Sequence, residues 1–201
     1  AMLIDRVAMR YTTFNTWHIQ QDTVEKIMGK QAIPMVFDYP EMNPFTQYTS
    51  SAINQLEQIL DYIKNESTNF NIAICQNAAS GDKSQFSSKF LNAVITDPPY
   101  YDAIAYADLS DFFYVWLKRT VGRKFALNFA TPNTPKSEEC TAIKHNHSGD
   151  REVAKQHFED KLLQIFDAIE HQTTEIVSVM FAHQSTEAWT TLCNSILGAR
   201  M

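Results

Sequence analysis

The run Ala93-Val94-Ile95-Thr96 stops at Asp97-Pro98-Pro99-Tyr100, and this junction constrains the fold more than any other stretch of the chain. Four small or β-branched residues in a row suit a buried strand of a parallel sheet. Two consecutive prolines cannot donate to a ladder, so the strand must end there. Asp97 is thereby predicted at a strand's carboxyl end. In an open α/β sheet that edge is where ligands bind, and a carboxylate and a tyrosine on a proline-stiffened turn there face a crevice. Read alone, Asp-Pro-Pro-Tyr is also an ordinary turn, since Asp and Pro are common turn residues.

The residue types suit one chemistry in particular. An exocyclic amino group on a base is a poor nucleophile because its lone pair is delocalised into the ring. An enzyme must accept hydrogen bonds from its protons and draw the nitrogen towards tetrahedral geometry. Asp97 can supply one acceptor and the Pro98 carbonyl a second, while Pro99 keeps the loop open and Tyr100 offers a flat face to a flipped base.

The sequence continues as Tyr101-Asp102-Ala103-Ile104-Ala105-Tyr106-Ala107-Asp108-Leu109-Ser110-Asp111-Phe112-Phe113-Tyr114-Val115-Trp116-Leu117-Lys118-Arg119. With the Asp-Pro-Pro-Tyr loop, this stretch resembles a family of large bacterial and archaeal adenine-specific DNA methylases. Residues 31–45, 130–139 and 181–189 are similar to other blocks of that family, so the resemblance covers nearly the whole chain. It implies a methyltransferase using S-adenosylmethionine, with adenine N6 in DNA as acceptor. Asp97, Pro98, Pro99 and Tyr100 would be catalytic, and Tyr101, Asp102 and Tyr106 would lie near substrate. RNA is the alternative acceptor, because such loops also serve enzymes acting on exocyclic amines of ribosomal RNA. The leading Asp, rather than Asn, disfavours methylation of protein glutamine.

One departure from the family pattern stands out. Its members carry a Gly-rich turn where the backbone approaches the donor, and this chain has five scattered glycines with no Gly-x-Gly. The resemblance therefore implies the C-terminal, catalytic-loop part of a larger enzyme, inactive in isolation. The missing N-terminal part of the polypeptide, or a complementing subunit, would hold the donor. Asn77 and Ala78, after an expected strand at 70–75, are the positional candidates for contact with the donor's adenine, together with Asp97. A non-catalytic nucleic-acid or protein interaction domain that lacks the donor site is the competing reading.

Composition bounds the remainder. At 201 residues and 44% apolar content, one sizeable core is expected. No apolar run is long enough for a bilayer and no leader opens the chain, so a soluble protein without membrane association is expected. Three separated cysteines suit reduced thiols in a cytoplasm. A net charge of -6 opposes a broadly basic nucleic-acid surface. The exception is the cluster Lys118, Arg119, Arg123 and Lys124, which reads either as a phosphate clamp or as a cationic helix end that complements the macrodipole.

Periodicity predicts helices to about residue 30, over 51–64 and after the Asp-Pro-Pro-Tyr loop, with Leu109, Phe112, Phe113, Trp116 and Leu117 as a core stripe. A mobile loop is expected at 124–150. Its Cys140, His145 and His147 lack the paired spacing of a zinc site, so no metal is predicted. Asp150 is expected to cap a helix burying Phe158, Leu162, Ile165, Phe166 and Ile169, followed by a strand over 175–181 and a last helix from Ser185 to Gly198. His183 then falls on the same sheet edge as Asp97, either in the pocket or as a loop residue. The expected fold is α/β, an incomplete Rossmann-like methyltransferase domain formed by the second half of a doubly wound sheet. Residues 1–66 would be a helical and irregular extension packed on the core and 67–201 the partial methyltransferase domain.

Overall fold

The computed structural model describes residues 1–25, 27–28, 34–67 and 72–201. In chain order its elements are α1 (Met2–Ala8), a short antiparallel pair β1 (Trp17–His18) and β2 (Thr23–Val24), α2 (Ala52–Glu66), β3 (Leu91–Thr96) and α3 (Tyr106–Val121). A 3-10 turn (Lys144–His147), α4 (Arg151–Gln172), β4 (Thr173–Val179) and α5 (Thr186–Gly198) complete them. The chain divides into two compact units, Ala1–Ala73 with Tyr106–Thr134 and Ile74–Ala105 with Pro135–Met201. Thus α3, expected in the methyltransferase part, groups with the N-terminal residues.

The second unit has an apolar core. Asp150 accepts the Glu152 and Val153 N–H groups at 2.9 and 3.2 Å and starts α4, as its sequence position predicts. The spacing of Phe158, Leu162, Phe166 and Ile169 puts all four on one buried face, with Ile165 at its margin. Ala188 and Leu192 of α5 pack against them, and Val94, Val177 and Val179 of the two strands close the cluster.

Strands β3 and β4 pair in parallel, with Ala93 opposite Ile176, Val94 opposite Val177 and Thr96 opposite Val179. The period-2 alternation turns Val94, Val177 and Val179 inward and leaves Ile95 and Ile176 outward, 78% and 62% exposed. Parallel sheets normally bury both faces, whereas among the described residues this one is covered on one side only. The observed fold is mixed α/β with a small parallel sheet, and among the described residues that sheet has two strands.

Two of the elements expected from the sequence need correction. The helix expected to residue 30 ends at Ala8, and Trp17 and Val24 lie in the small β pair. Asn15 holds that pair in place by donating to the carbonyls of Met9 and Glu25. Gly29, the expected stop, lies outside the described residues. The strand expected at 70–75 is absent over the described residues 72–75, where Ile72 and Ile74 are exposed. Residues 70 and 71 lie outside the description. With no partner strand to cover them, three alternating apolar positions are too few to fix a strand.

Helix α2 forms where expected, capped by the Ser51 hydroxyl on the Asn54 N–H at 3.1 Å, but Leu56, Leu60 and Ile63 of its stripe are exposed and Gln55 is the buried residue. In α3 the fully buried positions are Ala107 and Tyr114, with Leu109, Phe112, Phe113, Trp116 and Leu117 half-buried. The expected loop at 124–150 is not uniform. Thr131 is pinned to α3 because Tyr114 Oη and Lys118 Nζ both donate to its carbonyl, at 2.7 and 2.6 Å. Thr141, Ala142 and Ile143 are buried in the second unit, where Ala142 belongs to the core.

Candidate functional site

Parallel pairing brings the loops after β3 and β4 to one sheet edge. The Met180 N–H donates to the Thr96 carbonyl at 2.9 Å, so the ladder persists to the residue before Asp97. Asp97 and His183 therefore share the carboxyl edge, as their sequence positions predict.

The Asp-Pro-Pro-Tyr loop is a tight structure with Asp97 outward. Asp97 is exposed, and among the described residues neither its carboxylate nor the Pro98 carbonyl receives a hydrogen bond. Pro98 is buried and Pro99 half-buried, which anchors the turn. The Pro99 carbonyl accepts from the Tyr101 N–H and the Tyr100 carbonyl from the Ala103 N–H, both at 3.0 Å. Tyr100 is half-buried and meets Phe181 edge to face, with centroids 5.8 Å apart. One side of its ring system is thus braced from the β4 loop.

Tyr101 takes a different role from the one expected. Its φ of 55° lies in the left-handed region, uncommon for a bulky side chain. That conformation sends its ring into the core, 3% exposed, against Phe158 at 5.2 Å and His183 at 5.9 Å. It is a wall of the site, unable to stack on a base. Its hydroxyl is buried without a hydrogen-bond partner, and burial first, then the Glu187 carboxylate, push the phenol above its ordinary range.

His183 is held from both sides. The Ser185 N–H donates to Nδ1 at 3.1 Å, so Nδ1 is an acceptor and the neutral ring carries its proton on Nε2. Nε2 lies 3.6 Å from Asp102 Oδ1. Ser185 also caps α5 through the Ala188 N–H at 3.2 Å, and Trp189 Nε1 donates to the His183 carbonyl at 3.0 Å. Phe181, Ser185 and Trp189 were not among the sequence candidates. A Ser two residues after a His, with a helix beginning immediately, was the available signal.

The other candidates fall elsewhere. Tyr106, Lys118 and Arg119 belong to α3 in the first unit. Besides reaching Thr131, Lys118 lies over the Tyr114 ring at 5.6 Å, and Arg119 lies over Trp116 at 5.7 Å, so both cations have structural work within that unit. Asn77 and Ala78 sit in an exposed irregular stretch, and the described residues 72–76 before them form no strand. The expected contact with the donor depends on a strand end that holds the backbone against the cofactor, and the described residues 72–76 supply none. Cys140 is pushed up to about 12 by burial, and no group of three or more metal-binding side chains occurs among the described residues.

No family model, curated protein or solved structure matches this chain.

Proposed function

We propose that this chain carries the amine-binding part of an S-adenosylmethionine-dependent methyltransferase that acts on N6 of adenine in DNA. The observation that supports the reading is Asp97, exposed at the carboxyl edge of a parallel pair on a turn anchored by Pro98, with its carboxylate open to a ligand and the next carbonyl receiving no hydrogen bond among the described residues. A flipped adenine entering here would donate its two amino protons to Asp97 and to the Pro98 carbonyl, and rest against Tyr100. Phe181 fixes that ring, which lowers the cost of ordering it on binding.

S-adenosylmethionine would supply the methyl group, but the residues described here do not fit it, as the irregular path of Asn77 and Ala78 indicates. The donor then belongs to a further part of the polypeptide or to a complementing subunit. The uncovered face of the sheet at Ile95 and Ile176 suits such a complement, since parallel sheets are covered on both faces. The same absence of a donor cradle is what favours the second reading, a nucleic-acid or protein interaction domain without catalysis.

The test is a donor-competent form, one polypeptide or reassembled from two, given tritiated S-adenosylmethionine with unmethylated DNA or with RNA. Label on adenine N6 of DNA is expected. Label on RNA alone would change the acceptor, and no label from a folded, donor-bound protein would favour the interaction domain.

A further inference from the structure

We propose that the groove beside Tyr101 and Asp102 binds a phosphodiester of the strand that presents the target base, with Lys144 and Arg151 as its cationic contacts. The inference rests on the nucleic-acid methyltransferase reading and assigns the strand contact to residues outside the Asp97–Tyr100 loop. The groove measures about 420 Å³, and Lys144, His145 and Arg151 line it together with Tyr101 and Asp102. Its floor is the buried pair Ala142 and Ile143. The Ala142 N–H donates to the Tyr101 carbonyl at 3.0 Å, so the floor is bonded directly to the end of the candidate loop.

The charges argue for an anion. A chain of net charge -6 can hold a polyanion only where cations are gathered locally. Arg151 gives one nitrogen to Glu187 Oε2 at 3.1 Å, and its guanidinium retains further donors. Glu187 is also neutralised by Lys155 at 2.9 Å, and these partners hold its carboxyl below the usual range, the Lys155 hydrogen bond first. Lys144 is exposed, and among the described residues its ammonium makes no ion pair. Asp102 is the opposing charge in the groove, and it is directed towards His183 Nε2. Asp150 already satisfies the first N–H groups of α4, so the side-chain cations, and not the helix end, would carry the binding.

The test is fluorescence anisotropy of the whole chain with a labelled single-stranded DNA oligonucleotide, an RNA of the same sequence, and inorganic phosphate as competitor, at several salt concentrations. The variants are Lys144→Ala, Arg151→Ala, the charge reversal Lys144→Glu, and the control Lys83→Ala, whose lysine pairs with Asp167 on the side of α4. Each alanine change in the groove is expected to weaken binding and to lower the slope of log affinity against log salt by about 1, with a larger loss for the reversal and none for the control. Unchanged slopes in the groove variants, no binding at low salt, or displacement by micromolar phosphate would overturn the proposal. Normal methyl transfer with unchanged slopes would sink the groove alone, whereas flattened slopes in a protein that never transfers methyl would sink only the catalytic reading.

Discussion

His183 Nε2 faces Asp102 Oδ1 across 3.6 Å while Ser185 occupies Nδ1, so a residue of the β4 loop is oriented against a residue of the β3 loop. The Ser185 contact orients the imidazole within the β4 loop, and the ring meets Tyr101 of the β3 loop with centroids 5.9 Å apart. In the neutral ring its free N–H is directed at a carboxylate.

That arrangement separates two roles for the ring. His183→Ala removes the acceptor for the Ser185 N–H along with the packing on Phe181 and Tyr101. His183→Asn restores an acceptor at i to i+2 spacing, because an Asn side chain readily bonds the backbone two residues on. The Asn variant is expected to be more stable than the Ala variant by about 0.5 to 1.5 kcal/mol in urea titrations, the net worth of one hydrogen bond. Equal stabilities would mean that packing alone holds the ring.

Cys140 should resist alkylation. Burial pushes its thiol up to about 12, so almost none is thiolate at pH 8, whereas Cys75 and Cys193 are exposed. Iodoacetamide labelling followed by mass spectrometry should find Cys140 slower by on the order of 100-fold or more, since the thiolate is the nucleophile. Comparable labelling of all three would contradict the packing of 140–143 on the core.

The His147–His157 pair predicts an acid-sensitive region. Their ring centroids lie 4.6 Å apart, and His157 donates from Nε2 to the Glu139 carbonyl at 2.9 Å. Burial, and then His157, hold His147 below the ordinary histidine range. The unfolded chain therefore binds this proton more tightly. Stability from this group is present above about pH 6.5 and is lost as the pH falls from there through the folded value. Urea unfolding at pH 7.5 and 5 should show this loss, and His147→Gln should make it smaller. A pH response identical in the variant would exclude His147 as its source.

Limited proteolysis should cut first within 72–80, where every residue is exposed and no regular element forms, and next near Leu127, which is 94% exposed. Residues 141–143 should survive these early cuts. Early cleavage at 141–143 would contradict their burial.

What was legible in the sequence follows the strength of local signals. The Asp150 cap, the Phe158–Ile169 face and the Ser185 start of α5 combine a capping side chain with a long apolar period, and they form as expected. The proline stop at Asp97 placed the end of β3, and two apolar strands joined by a long crossover placed His183 beside it. The misreadings share a cause. Trp17, Val24 and Ile27 fit a helical period by chance, and residues 70–75 imitate a strand, but which neighbours cover them is a tertiary matter. Tyr101 could not be told from Tyr100 because a left-handed φ at a tyrosine leaves no mark on the sequence. The groove at Lys144 and Arg151 joins residues 44 to 54 positions from the candidate loop, through a segment without periodicity.

The most direct test is the rate of methyl transfer by Asp97→Ala in a donor-competent form of the protein, compared with Tyr100→Phe and Tyr100→Ala, with folding checked by circular dichroism. Asp97 is exposed and bonded to nothing among the described residues, so its loss should leave the fold intact. Transfer should fall on the order of 100- to 1000-fold, the usual consequence of removing one preorganised partner of the reacting group. Tyr100→Phe should keep most activity and Tyr100→Ala should weaken substrate capture, since stacking needs the ring. Wild-type turnover by a folded Asp97→Ala variant would contradict the account and leave Asp-Pro-Pro-Tyr as a turn.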